Sequence, residues 1–223
     1  SGMTGGPTGW SRPPYLYDSL ILRRGDAARA DAAVTADPAP DAFPAAGYAD
    51  VPSDAWYAGA VDTITARGLL DSRPGDRFAP NSCLTRGELV TALHRLAGMP
   101  AAEAGAAFSD VSRSSDCYAA VSWAAGAGLV SGMADGRFAP DAGITRAQLA
   151  AVLHRCAALS GADLPAGSGI GTYADWRQVG TWCRDAVSWA VETGLLRGKS
   201  GNRLAPNDVV SRAEGAVFLR RLL

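Results

Sequence analysis

Four short blocks recur three times along this chain in the same order, and that repetition constrains the fold more than any other feature of the sequence. Phe78-Ala-Pro80, Phe138-Ala-Pro140 and Leu204-Ala-Pro206 mark one recurring point, at intervals of 60 and 66 residues. Downstream come Leu84-Thr-Arg-Gly-Glu88, Ile144-Thr-Arg-Ala-Gln148 and Val210-Ser-Arg-Ala-Glu214. Upstream lie Gly68-Leu-Leu70, Gly128-Leu-Val130 and Gly194-Leu-Leu196, preceded by Tyr48-Ala-Asp50, Phe108-Ser-Asp110 and Tyr173-Ala-Asp175. Four blocks in one register exclude chance.

Each copy reads as helix, loop, helix. The first helix carries Trp56, Ala60, Val61 and Ile64 in copy one and Trp182, Ala186, Val187 and Ala190 in copy three, a spacing that keeps one face apolar. It ends at Gly68, Gly128 or Gly194, the residue type that best tolerates the left-handed turn after a helix. Pro80, Pro140 and Pro206 then prevent a helix from running through the loop. The second helix starts at Thr85, Thr145 or Ser211, each followed three residues later by Glu88, Gln148 or Glu214, the spacing of a capping box. Leu89, Val90 and Leu93 supply its apolar stripe, as do Leu149, Val152 and Leu153. Copy three offers Val217, Phe218 and Leu219, with Gly215 where the first leucine would stand, and its stripe is weaker.

The expected fold is all-α, with residues 46–104, 105–165 and 170–223 as the three copies and linkers near 101–107 and 160–172. One copy of this size buries too little surface to stand alone. The three are therefore expected to share a core as a pseudo-threefold bundle. Residues 1–45 lie outside the repeat, an irregular extension in which Tyr15-Leu-Tyr-Asp-Ser-Leu-Ile-Leu22 reads as a strand and Asp37-Pro-Ala-Pro-Asp41 as an extended spacer.

Composition excludes several functions. At 48% hydrophobic and 19% charged the chain has material for a core and is not a disordered tail. A net charge of −1 without a basic run argues against nucleic acid as a partner. No stretch reaches the roughly 20 apolar residues of a membrane helix. Ser1-Gly2 ahead of Met3 reads as an added scar, so the lack of a signal peptide says little about compartment. Cys83, Cys117, Cys156 and Cys183 form no CxxC pair, and no cofactor or metal is expected. Cys117 and Cys183 are repeat equivalents, and a bridge between them is weighed on that ground. His94 and His154 also match, but Arg220 holds the third position, which favours a basic helix face over a metal site.

An aromatic-x-Asp opening, Gly-Leu-hydrophobic after one helix and a Thr-Arg-Ala-Glu-like box opening the next resemble the S-layer homology domain, in three copies over about residues 46–223. The resemblance implies a bacterial cell-surface protein, bound non-covalently to a secondary cell-wall polysaccharide that commonly bears pyruvylated amino sugar, with ligand grooves between adjacent copies. The chain departs from the family pattern at Ser72, where the other copies have Gly132 and Gly198, and at Gly87, Gln148 and Ser211. Copy two also has no tryptophan matching Trp56 and offers Tyr118 nearby. The glycan-binding set expected on this basis is Arg86, Arg146, Arg212, Asp50, Asp110, Asp175, Trp56, Tyr118, Trp182, Gly132 and Gly198.

The residues themselves permit more than one use. Arg86, Arg146 and Arg212 each sit at the first position of a helix, where the partial positive charge disfavours a cation by roughly 0.3–1 kcal/mol. Repeated against that preference, they either receive an anion together with the free helix amides, or bridge to an acid of the neighbouring copy and lay their stems on an aromatic ring. Trp56, Tyr118 and Trp182 either stack on a sugar or belong to the core. Asp50, Asp110 and Asp175 either accept from sugar hydroxyls or cap backbone at the helix entrance, the latter being favoured.

The leading functional reading is a non-catalytic, monomeric wall-anchoring module at the bacterial cell surface; the alternative is a protein-interaction or lattice-forming module. No GxSxG, HExxH or phosphate-binding loop supports an enzyme.

Overall fold

Each second helix begins at the cap expected from its box. The computed structural model describes residues 47–102, 105, 108–162, 164 and 169–223. The strand and spacer expected within residues 1–45 lie outside the described residues. The first helices are α1 (Ala58–Ala66), α3 (Tyr118–Gly126) and α5 (Arg184–Glu192), and the second helices are α2 (Arg86–Leu96), α4 (Arg146–Leu159) and α6 (Arg212–Arg221). Thr85, Thr145 and Ser211 each accept from the third helical amide, while Glu88, Gln148 and Glu214 return to the cap amide, so all three boxes are complete. Short 3₁₀ turns at Gly169–Thr172, Trp176–Gln178 and Thr181–Cys183 lead into α5. Among the described residues every regular element is helical.

The first helices start later than their apolar pattern suggests. Trp56 precedes α1, and Trp182 lies in a 3₁₀ turn before α5; both are more than 60% exposed. The helix faces are instead closed by Val61 and Ile64, by Val121 and Trp123, and by Val187 and Trp189, all buried. Gly68, Gly128 and Gly194 carry φ of 64°, 71° and 72°, as the C-terminal turn requires.

The three copies close on one another. α2 packs on α3, α4 on α5, and α6 returns to α1. Between the capping segments the backbone makes a closed triangle: Leu84 N–H donates to Val210 O, Val210 N–H to Ile144 O and Ile144 N–H to Leu84 O, at 2.8–2.9 Å. Leu84, Ile144 and Val210 are fully buried, and a single apolar cluster joins all six helices. Gly215, the gap in the third stripe, is a close-approach point, because a Cβ there would stand 2.8 Å from the Leu84 side chain. The weaker stripe of copy three is thus filled by copy one.

All four cysteines are free thiols, so Cys117 and Cys183 are not bridged. His94 and His154 make matching contacts. Each lies against the tryptophan of the next copy's first helix, His94 on Trp123 at 5.3 Å and His154 on Trp189 at 5.4 Å between ring centroids. Burial pulls the His154 pKa down, which keeps its ring neutral near pH 7.

Candidate functional site

Arg86, Arg146 and Arg212 point across the copy boundary into the following copy. Their Nε groups donate to Phe138 O, Leu204 O and Phe78 O at 2.8–2.9 Å. Their Nη2 groups donate to Ser131 O, Arg197 O and Asp71 O at 3.2, 2.6 and 2.7 Å. The guanidinium groups of Arg86 and Arg212 also cover the Phe138 and Phe78 rings at 4.6 Å. In copy three that ring is replaced by Leu204, and the Arg146 guanidinium lies instead over the Phe218 ring, at the longer distance of 5.9 Å.

The free helix amides expected beside these arginines are occupied. The Arg86 and Gly87 amides donate to Ala142 O and Pro140 O, those of Arg146 and Ala147 to Asp208 O and Pro206 O, and those of Arg212 and Ala213 to Ser82 O and Pro80 O. The third amide goes to the cap hydroxyl. An anion at the helix mouth would have to displace backbone carbonyls, so the helix N-terminus itself is not a receptor.

The arginines differ in how far they are committed. Arg212 has no exposed surface and pairs with Glu88, which Arg73 also meets at 2.7 Å. Arg146 is 3% exposed, with Glu214 at 3.8 Å. Arg86 is 9% exposed and makes no ion pair among the described residues. Burial pulls the pKa of all three down, opposed by Asp110 at Arg86, mainly by Glu214 at Arg146 and mainly by Glu88 at Arg212. Arginine remains charged throughout.

The aspartates hold backbone, though not at the helix entrance. Asp50 accepts from the amides of Phe78 and Ala79, Asp110 from Phe138 and Ala139, and Asp175 from Leu204 and Ala205, all at 2.7–2.9 Å. Each clamps the loop turn in which Ala79, Ala139 or Ala205 adopts φ of 57°, 58° or 50°, a strained conformation for alanine. These bonds hold all three carboxyls below the usual range. For Asp110 the Phe138 amide is the main cause; for Asp50 and Asp175 burial is the largest single influence and raises the pKa, but the amides, with Arg77 beside Asp50 and Arg203 beside Asp175, together outweigh it. A carboxylate whose pKa is depressed by folding stabilises fully above its unfolded value, about 3.9. That contribution is lost as pH falls through the lower folded value. The melting temperature should therefore hold between pH 7 and 5 and decline below about pH 4, a course that scanning calorimetry across that range would follow.

The remaining expected site residues divide between packing and exposure. A Cβ on Gly132 would stand 2.5 Å from the Phe108 ring, and one on Gly198 would stand 2.6 Å from the Tyr173 ring, so both glycines seat the aromatic that opens their copy. Tyr118, half-buried, packs against the core. Trp56 meets Tyr57 edge-on at 5.4 Å and is otherwise open.

Two clefts occupy repeat-equivalent positions at successive boundaries. The first, of about 330 Å³, lies between copies one and two and is bordered by Asp71, Arg73, Glu88, Arg95, Asp116 and Asp141. The second, of about 230 Å³, lies between copies two and three and is bordered by Arg86, Ser131, Gly132, Gln148, Arg155 and Trp182. Arg73, Arg95, Arg155 and Gln148 were not singled out as ligand contacts by the sequence; their helix and loop positions repeat, but which of them border a cleft depends on how the copies meet.

The S-layer homology domain model matches the sequence over residues 47–90, 107–150 and 172–216. The chain is 29% identical, over 76% of its length, to an amylopullulanase of Thermoanaerobacterium thermosulfurigenes, covering 9% of that protein. It is 25% identical, over 76% of its length, to the exoglucanase XynX of Acetivibrio thermocellus, covering 16% of it. Identity to S-layer protein EA1 of Bacillus anthracis is 27% over 77% of the chain and 19% of that protein. The chain spans under a fifth of the length of each.

Proposed function

Because this chain belongs to the S-layer homology domain family and is a cell-surface anchoring module, extracellular and associated with the cell wall, we propose that it holds a larger protein on an acidic wall polysaccharide whose sugars carry a pyruvyl ketal. Domains of this family are non-catalytic anchors, and the enzymes among the relatives match through these repeats. The observation that carries the reading is the pair of open clefts between consecutive copies, the second of them bordered by Arg86 and Arg155 with no acid among its lining residues. Clefts of this shape bury part of a sugar unit, and a glycan carboxylate is the group a guanidinium fork takes in two-point fashion. Trp182 offers an exposed ring face beside the second cleft, suited to the apolar side of a pyranose.

The same reading takes residues 46–104, 105–165 and 170–223 as the three units and treats them as a pseudo-threefold bundle; the cyclic packing of α1 to α6 supports it. Contacts in successive clefts reinforce one another along a polymer through effective concentration. The isolated module is a monomer in this reading, whereas a lattice-forming module would grow with concentration in light scattering.

The test is co-sedimentation with purified cell-wall polysaccharide before and after removal of pyruvate by mild acid. Binding should weaken by about tenfold or more once the carboxylate is gone, the loss expected for a charge-assisted contact. Equal binding to both polymers would rule out the acidic group as the feature recognised.

A further inference from the structure

The two clefts share their backbone plan and differ in charge. In the first, Glu88 accepts from Arg212 and from Arg73, and Asp71 forms a two-point pair with Arg95 at 2.9 Å. Asp116 and Asp141 add two further acids to its border. Its cations are answered from within the protein. The carboxylate of Glu88, laid on a buried guanidinium, occupies the place that an external anion would need.

Every one of those acids is absent from the second cleft. Gln148 stands where Glu88 does, Ser131 where Asp71 does, and Trp182 where Asp116 does. Arg86, the counterpart of Arg212 at this boundary, spends Nε and Nη2 on Phe138 O and Ser131 O, and Nη1 has no partner among the described residues. Arg155 borders the same cleft with one bond, to Leu129 O at 3.0 Å. The charge that acts most on Arg86 is Asp110, whose two oxygens are already taken by the Phe138 and Ala139 amides. At the third boundary the acid returns, since Glu214 lies near both Arg146 and Lys199. One box residue out of three is neutral, and it coincides with the one arginine of the three that has no ion pair.

We propose that the cleft between copies two and three is the anion-reading site of this chain, and that Gln148 determines this by leaving Arg86 without an internal carboxylate. The group bound is a carboxylate carried on a sugar, set on Arg86 and Arg155 with the pyranose against Trp182. The first cleft does not read the anion, because Glu88 already fills that role. This rests on the wall-glycan reading above and assigns the acidic group to one boundary.

Titration calorimetry on the whole chain tests it, with a methyl glycoside bearing a pyruvyl ketal as probe and its methyl ester as the neutral control. The wild-type protein should bind one equivalent of the acid, and the ester at least about tenfold more weakly. Gln148→Glu should weaken the acid by about tenfold or more while keeping its melting temperature, because Glu88 and Glu214 close the same box in the other copies. Met133→Glu, a change at the exposed rim outside the box, should weaken it in the same direction and guards against a folding artefact at position 148. Wild-type binding that survives both substitutions would overturn the assignment to this cleft while leaving the anchoring function intact. Failure of the unaltered protein to bind either the glycoside or the wall polysaccharide would remove the glycan reading, and this proposal with it.

Discussion

Arg212→Met should destabilise the protein by about 3–5 kcal/mol, the range for removing one partner of a buried ion pair. For a chain of this size that corresponds to a fall of roughly 10 °C in melting temperature. Arg212 is fully buried and serves three acceptors in copy one at once: Phe78 O, Asp71 O and the Glu88 carboxylate. Methionine keeps contact with the Phe78 ring but leaves two carbonyls without their donor. Arg86→Met removes the same two carbonyl bonds to copy two and no ion pair, so its cost should be smaller. Urea unfolding of both variants gives the comparison. A loss below about 1 kcal/mol at Arg212 would show that the boundary holds without its guanidinium, and the assignment of these arginines as inter-copy ties would be wrong.

Asp175→Ala should cost about 3 kcal/mol, since two backbone amides lose a charged acceptor in a buried setting. The loss would be compounded by release of Ala205 from its left-handed conformation. Asp175→Asn keeps one acceptor oxygen and should recover part of the difference. Asp110→Ala, at an exposed position, should be milder even though the two bonds of Asp110, both 2.8 Å, are within 0.1 Å of those of Asp175. Hydrogen exchange at the Leu204 and Ala205 amides would report the effect directly, and protection as strong in Asp175→Ala as in the unaltered protein would refute the clamp.

Local chemistry was readable from the sequence, and inter-copy chemistry was only partly so. Thr85, Thr145 and Ser211 cap their helices as their spacing requires, because a capping box is decided within four residues. Gly68, Gly128 and Gly194 end the first helices for an equally local reason. The placement of an arginine at the unfavourable end of a helix correctly signalled a use beyond the helix. That use turned out to be carbonyl oxygens of the next copy, which no local pattern could supply. The free amides that suggested an anion receptor were filled by the same neighbour. Trp123 and Trp189 became core because the preceding copy brings a histidine against each, whereas Trp56 and Trp182, placed on the apolar face by periodicity, fell outside their helices. The difference between Glu88 and Gln148 was visible as a departure from pattern; that Glu88 pairs with Arg212 of another copy while Gln148 borders the same cleft as Arg86 depends on how the copies meet.

The amide triangle of Leu84, Ile144 and Val210, with the return of α6 to α1, gives this repeat protein no terminal units. A linear solenoid can fray from either end, each copy melting nearly on its own. Here the first copy is tied to the last, so a tug on either end of the chain loads a joint made by its opposite end. Such an attachment should give way in one step, not by shedding its copies in turn, and a tether built to stay on a surface under drag benefits from having no loose edge to peel.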